Sequence, residues 1–242
     1  VIIGAKALLL SGINQVMNAD IIQIWHGTIA DDSGYQDYWR ILDASELARA
    51  GKIRNDLQRK HYVTVHGRLR HILSKMLNAS PEEITIKKTE QGKPYLADTP
   101  ELAFNLSHSA SAMVIAVGWN CQLGVDIECF KSRSNLAALV DKCFSIEEIA
   151  YWNMLPETQK MPEFYRFWTR KEAFVKATGA GIALGLKRCV INPENFSKFL
   201  RVPIEYGLAS SWQLQDLTLG TGVCSALVTD KVIEDVRLLA FD

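Results

Sequence analysis

Gly124-Val125-Asp126-Ile127-Glu128 is the stretch on which the reading of this chain turns. It has the character of a β-strand, and the two-residue period of a strand sends Asp126 and Glu128 to one face and Ile127 to the other, toward a core. A second cluster follows at Trp168-Thr169-Arg170-Lys171-Glu172-Ala173-Phe174-Val175-Lys176. There Glu172 and Lys176 are four apart in a helical pattern, so they lie one turn above the other on a single face. Each half has an ordinary explanation when read alone. The strand carboxylates fit an exposed sheet face, and Glu172 with Lys176 fits a surface salt bridge worth ~0.3–0.5 kcal/mol. Read together, three carboxylates and an ammonium suit magnesium, which takes hard oxygen ligands completed by waters and phosphate oxygens.

Lys171 is out of pattern. On a helical wheel Phe164, Phe167, Trp168, Phe174 and Val175 form one apolar stripe, and Lys171 falls inside it. Two readings stay open: a snorkelling lysine whose stem packs while its amine reaches water, or an amine directed into a cleft to meet a phosphate.

Working outward, residues 21–25 read as a strand and roughly 44–78 as helical, stopped by Pro81. Residues 85–87, 102–106 and 113–117 look like strands, and Ser107-His108-Ser109-Ala110-Ser111 reads as a polar loop between the last two. Gln91-Gly92-Lys93-Pro94 reads as a turn. Helices are expected near 135–142 and 145–154, the second opening with Ser145 and Glu148 as a capping box. The helix holding Glu172 is expected from about Glu163 to Thr178, ended by Gly179-Ala180-Gly181. Strands then close the chain near 189–191, 212–217, 223–228 and 236–241. Each half shows helix followed by strands, which predicts an α+β fold of two similar lobes, 17–125 and 126–242, with a site at their join. Residues 1–16 are read as an upstream extension outside the fold, with Met17 as the start.

With 242 residues, about half of them apolar, the chain has enough material for a large core. Lysine plus arginine and aspartate plus glutamate both number 27, so there is no bulk field to draw nucleic acid or an acidic membrane. The five cysteines are scattered and contain no Cys-x-x-Cys pair, which argues against a disulfide framework or a zinc site and fits a reducing cytoplasm. No run of apolar residues is long enough for a membrane span. Nucleophile-elbow, Walker-type and His-Glu-x-x-His motifs are missing. His108, Lys93 and the basic residues Lys52, Arg59, His61, Arg68 and Arg70 are further candidates for holding a phosphate, and each also has a structural or solvated explanation.

In this order, Gly92-Lys93-Pro94, Phe104-Asn105-Leu106-Ser107-His108-Ser109, Gly124–Glu128 and Trp168–Lys176 closely resemble the 4'-phosphopantetheinyl transferases of the Sfp type. The resemblance covers nearly the whole chain from about Met17. It implies a pseudo-dimeric α+β fold in one chain, with the active site at the lobe interface. It also implies transfer of the phosphopantetheine arm of coenzyme A to a serine of an apo acyl or peptidyl carrier protein, releasing adenosine 3',5'-bisphosphate. Carried over by position, Asp126, Glu128 and Glu172 would hold magnesium. Glu172, or a water near it, would act as general base, with Lys176 and Lys171 on the phosphates. Ser107 and His108 would contact the coenzyme's phosphates, and Lys93 its adenine end. Where family members often carry an arginine in the preceding helix this chain has His61, with Arg59 two residues earlier, and either is a candidate for the 3'-phosphate. Two rivals use the same residues: a magnesium-dependent phosphatase or pyrophosphatase, and a non-catalytic module that binds coenzyme A or a carrier.

Overall fold

The computed structural model describes residues 21–29 and 34–241. The expectations placed on residues 1–16 and Met17 lie outside the described residues.

Strand β1 (Ile21–Thr28) opens the described chain, followed by helices α1 (Tyr35–Ile41), α2 (Ala44–Lys52) and α3 (Asp56–Leu77). A small hairpin, β2 (Ile86–Lys88) and β3 (Pro94–Leu96), leads to β4 (Leu102–Ser109), β5 (Ala112–Trp119) and β6 (Leu123–Cys129). Then come α4 (Leu136–Cys143), α5 (Ile146–Met154) and the long α6 (Glu157–Thr178). The chain closes with β7 (Val190–Ile191), β8 (Phe199–Arg201), β9 (Gln213–Asp216), β10 (Val223–Thr229) and β11 (Asp235–Ala240).

Two sheets pack face to face, one in the order β11-β1-β5-β4 and the other β6-β10-β9. The alternation along each strand explains the layering. On β5, Val114 and Ala116 join Ile22, Ile24, Val125, Ile127 and Leu227 in a core between the sheets. Its alternate residues Met113, Ile115 and Val117 turn the other way, onto Leu69, Ile72 and Leu73 of α3. On the far side Phe167 and Phe174 of α6 pack on Ala226 and Val228 of β10. The result is four layers: α3, sheet, sheet, α6. Burying each such Leu, Ile or Phe side chain contributes about 1.5–3 kcal/mol.

Gly124 decides how close α6 comes to β6. A Cβ there would lie 2.1 Å from the carbonyl oxygen of Ala173 and 2.3 Å from the amide nitrogen of Ala177. Only a residue without a side chain lets the helix backbone rest on the strand backbone.

The α+β architecture in two parts is present, with corrections to its boundaries. Strand β11 pairs in parallel with β1, so residues 235–240 return to the first sheet instead of staying with the second half. A boundary at 125/126 cuts β6, which belongs wholly to the second sheet. The expected loop at residues 107–109 is strand: Ser107, His108 and Ser109 pair with Val114, Met113 and Ala112. The turn is Ala110-Ser111 alone, with Ala110 at φ 51°. Helix α6 starts at Glu157, earlier than Glu163, and carries Pro162 at its sixth position, past the first turn, where the ring removes one intrahelical N–H bond. The capping box at Ser145 and Glu148 is formed.

Candidate active site

The edge strands β4 and β6 of the two sheets meet through side chains. Asn105, Ser107 and Ser109 share one face of β4 and bridge to β6 at every second residue. Asn105 Oδ1 accepts from the Val125 amide at 2.9 Å. Ser107 Oγ donates to Asp126 Oδ1 at 2.8 Å, and Ser109 Oγ donates to Glu128 Oε2 at 2.7 Å. The period-two pattern Asn-x-Ser-x-Ser is the sequence signal for these roles.

Strand β6 turns Asp126 and Glu128 away from the inter-sheet core, as their spacing requires, and Asp126 is buried. From α6 the Lys176 ammonium reaches Asp126 Oδ1 at 2.6 Å, Ser107 Oγ at 2.7 Å and the Val125 carbonyl at 3.3 Å. Lys176 therefore pairs across the seam with β6, not along the helix with Glu172. The second carboxylate oxygen of Asp126, Oδ2, is buried with no hydrogen-bond partner. An unpartnered carboxylate oxygen out of water costs several kcal/mol. Burial raises the Asp126 pKa, outweighing the Lys176 ammonium. Burial, and next the Asp126 charge, raises that of Glu172 as well.

Of these residues Asn105, Glu172 and Lys176 line a cavity of about 450 Å³ shared by both halves of the chain, with Asp126 behind Lys176. Glu172, Val175 and Lys176 line it from α6, Leu106 and His108 from β4, and Gly92 and Lys93 from the β2–β3 turn. Partial burial, then the charges of Lys176, His61 and His66, depress the His108 pKa. The remaining wall comes from α2 and α3, including Arg49, Tyr62 and His66. Tyr62 and His66 lie against each other with ring centroids 4.1 Å apart and planes tilted by 32°, and Arg49 sits 5.9 Å from the Tyr62 ring centroid.

A buried arginine holds that wall. Arg70 is 0% exposed; its Nε donates to Glu46 Oε2 at 2.7 Å and its Nη2 to Asp43 Oδ2 at 2.6 Å. Its Nη1 donates to the carbonyls of Pro81 and Ile84. Glu46 completes the capping box of α2 with Asp43 and meets His66 Nδ1 at 3.0 Å through Oε1.

Several candidates stand elsewhere than their sequence positions suggested. Arg59 bonds Asp56 and the Ile53 carbonyl and is not on the cavity wall. His61 is not on the cavity wall, which takes Tyr62 and His66 from the same helix. Both departures follow from the helix phase of α3, which also turns Arg70 inward and sends Arg68 to the Thr28 carbonyl and the Phe241 ring. Lys93 lines the cavity with its stem but hydrogen-bonds the carbonyls of Ala177 and Leu123, tying the turn to α6 and β6. Burial depresses its pKa. Lys171 neither snorkels nor enters the cavity: it is 0% exposed, with Nζ 2.7 Å from Glu148 Oε2.

The expected metal ligands fit a magnesium ion in part. Among the described residues no three His, Cys, Asp or Glu side chains stand close enough to enclose an ion. Magnesium does not need such a cage, since it keeps several waters and binds through one or two carboxylates plus substrate phosphates. The orphaned Asp126 Oδ2 is the atom such an ion would satisfy, with Glu172 on the cavity wall and Glu128 one strand period away.

A buried carboxylate with a free oxygen, a second carboxylate with a raised pKa and a cavity edged by lysine and histidine make a site for phosphate-ester chemistry. The comparisons with known proteins agree. Residues 25–120 match the family described as "4'-phosphopantetheinyl transferase, N-terminal", and residues 122–229 match the "4'-phosphopantetheinyl transferase superfamily". The chain is similar to the 4'-phosphopantetheinyl transferase HetI of Nostoc sp., 35% identical over 174 residues, covering 70% of this chain and 73% of that one. It is 30% identical over 184 residues to a putative 4'-phosphopantetheinyl transferase, slr0495, of Synechocystis sp., covering 75% and 74%. With the 4'-phosphopantetheinyl transferase psf-1 of Bacillus pumilus it shares 37% identity over 120 residues, 49% of each chain. The chain belongs to the 4'-phosphopantetheinyl transferase family and is an enzyme of that class. Among the described residues no helix is long and apolar enough to cross a membrane.

Proposed function

We propose that this enzyme moves the 4'-phosphopantetheine arm of coenzyme A onto a serine of an apo acyl or peptidyl carrier protein, with magnesium, releasing adenosine 3',5'-bisphosphate. The observation that carries the reading is the buried, unpartnered Asp126 Oδ2, whose carboxylate is bonded to Lys176 on the wall of a cavity shared by both halves of the chain.

In the reaction the serine oxygen forms a bond to the phosphorus bearing the pantetheine arm, and the phosphoanhydride bond to the adenosine 3',5'-bisphosphate breaks. Glu172 is the group suited to take the serine proton, because it lines the cavity and burial raises its pKa, which makes it a better base than an ordinary carboxylate. Asp126 and Glu172 would hold magnesium with its waters, Glu128 standing one strand period away, and the ion when bound supplies Lewis-acid neutralisation of the charge developing on the leaving phosphate. Lys176, already at the seam, is within reach of a phosphate oxygen by a turn of its side chain. Arg49, His66 and His108 offer donors to the coenzyme's 3'-phosphate, and the Gln91–Pro94 turn borders the same cavity for the adenine end. The expected adenine-end role of Lys93 then falls to its stem and backbone, its ammonium being engaged with Ala177 and Leu123.

The test is intact-mass analysis of purified apo carrier proteins after incubation with the enzyme and coenzyme A, with magnesium present or chelated. The expected result is a magnesium-dependent gain of one phosphopantetheinyl group. Coenzyme A binding without any gain on several acyl and peptidyl carriers would remove the carrier-protein reading.

A further inference from the structure

Lys171 has no part in the chemistry above, yet it sits beside Glu172 in the sequence and is one of the largest fully buried side chains among the described residues. Its three N–H donors meet three acceptors: Glu148 Oε2 at 2.7 Å, the Cys189 carbonyl at 2.6 Å and the Leu186 carbonyl at 3.0 Å. Glu148, also 0% exposed, is equally complete. Its Oε2 accepts from the Ser145 amide at 2.7 Å and its Oε1 from the Ile191 amide at 2.7 Å. One ion pair thus joins α6, the start of α5 and the 186–191 segment at a fully buried point.

Stability is a weak reason for such a pair, since apolar residues of similar volume in its place are often neutral or stabilising. Direction is a better one. The Phe164, Phe167 and Phe174 contacts of α6 are apolar ring packings, which lack the directionality of a hydrogen-bonded ion pair. Gly124 sets the separation of α6 from β6 but not the rotation of α6. Arg170 and Asp216 also tie α6 directionally, at 2.7–2.8 Å, but Asp216 is 38% exposed and sits at the sheet edge. Successive residues of an α-helix are about 100° apart, so Lys171 in the core and Glu172 on the cavity are two spokes of one wheel. A rotation of about 20° would carry a group at the rim of the helix by about 2 Å.

We propose that the Lys171–Glu148 pair is a positioning device: it fixes the rotation of α6 and so sets Glu172 and Lys176 against Asp126. The inference rests on the transferase reading of those three residues. Lys171 and Glu148 are positioning residues, acting through the helix without touching substrate.

The test replaces both charges at once, as Glu148→Leu/Lys171→Met, so that neither is stranded. Melting temperature, Mn2+ affinity in the presence of coenzyme A by electron paramagnetic resonance, and kcat and KM for coenzyme A are measured on the full chain. The expected double variant melts within about 4 °C of the parent. Its Mn2+ affinity falls about tenfold and its kcat about 10²-fold, with KM for coenzyme A nearly unchanged, as a misplacement of about 1 Å predicts. A folded double variant that keeps both Mn2+ affinity and kcat overturns the proposal. Should it fail to fold, Glu148→Gln, which removes the charge and keeps an acceptor for only one of the two amides, Ser145 or Ile191, is judged on the same two readouts, and parental values overturn the proposal. A parent that transfers nothing but binds Mn2+ with coenzyme A, and loses that affinity in the variants, would support the positioning role while removing the transferase reading. A parent that binds no Mn2+ overturns both.

Discussion

Helix α6 carries a lysine–carboxylate pair on each of two faces, and the two pairs differ in completeness. On the core side Lys171 meets Glu148 at 2.7 Å, both 0% exposed, and both carboxylate oxygens have donors. On the cavity side Lys176 meets Asp126 at 2.6 Å, with the lysine side chain 27% exposed and Asp126 Oδ2 unpartnered. Distances alone would rank the pairs as equals. The difference lies in what is left over: the core pair has nothing more to bind, whereas the cavity pair keeps a buried oxygen that costs free energy until a ligand meets it. Completeness of hydrogen bonding separates a device that holds shape from one that acts on a ligand.

The largest break in this comparison is Asp126→Ala. Transfer should fall on the order of 10³-fold or more, since several kcal/mol of charge neutralisation are lost at about 1.4 kcal/mol per tenfold. Melting temperature should hold, because the released Lys176 can reach water. Intact-mass kinetics beside a thermal melt read both, and full activity in Asp126→Ala would end the metal assignment.

Glu172→Gln comes next, with an expected loss of about 10²–10³-fold in kcat, the range for a positioned general base. The pH profile sharpens the point. A carboxylate that takes the serine proton gives the parent's rate an acid limb, and the glutamine variant should lose it. Stability carries the matching signs. Asp126 and Glu172 have raised pKa values, so their contribution is full below the ordinary carboxylate range and is lost as pH rises through the raised values. Glu46 is the opposite case: burial raises its pKa, but bonds from His66 and Arg70 more than reverse this. Its contribution is present above the ordinary range and lost as pH falls through the depressed value. Melts from pH 4 to 8 should therefore show Asp126→Asn gaining on the parent toward neutral pH; a constant difference would contradict the burial of an ionised Asp126.

A smaller effect is expected from Gly124→Ala, which puts a methyl group against the α6 backbone. Displacing the helix should cost roughly 1–3 kcal/mol of stability, read from denaturant unfolding, and reduce kcat by loosening the cavity pair. The smallest separates two arginines. Arg49→Ala should weaken coenzyme A binding by about tenfold, the scale of a charged hydrogen bond, whereas Arg59→Ala should leave it unchanged in calorimetry. Equal losses would return Arg59 to the site.

What could be read from the chain before its fold was local and periodic. The strand period of Asp126 and Glu128, the helical spacing of Glu172 and Lys176, and the Ser145–Glu148 cap each follow from backbone geometry within a few residues. The resemblance in the order of the motifs supplied the family, which the comparisons establish. The charges were harder. A lysine in an apolar stripe looks the same whether it snorkels, enters a cleft or is buried, and the choice fell to Glu148, 23 positions earlier in the chain. Arg59 and Arg70 read alike as basic helix residues, yet one bonds its own helix and the other sits in the core on Asp43 and Glu46.

The sequence by itself determined the strand carrying two carboxylates, the helix carrying Glu172 and Lys176, and the α+β class, because those depend on periodicity and capping. Only the tertiary structure decided that Ser107 and Ser109 extend a strand edge toward Asp126 and Glu128, that Lys176 crosses to β6, and that β11 returns beside β1. Those choices depend on which edges meet and which polar atoms find partners away from water, and that is a property of the assembled chain.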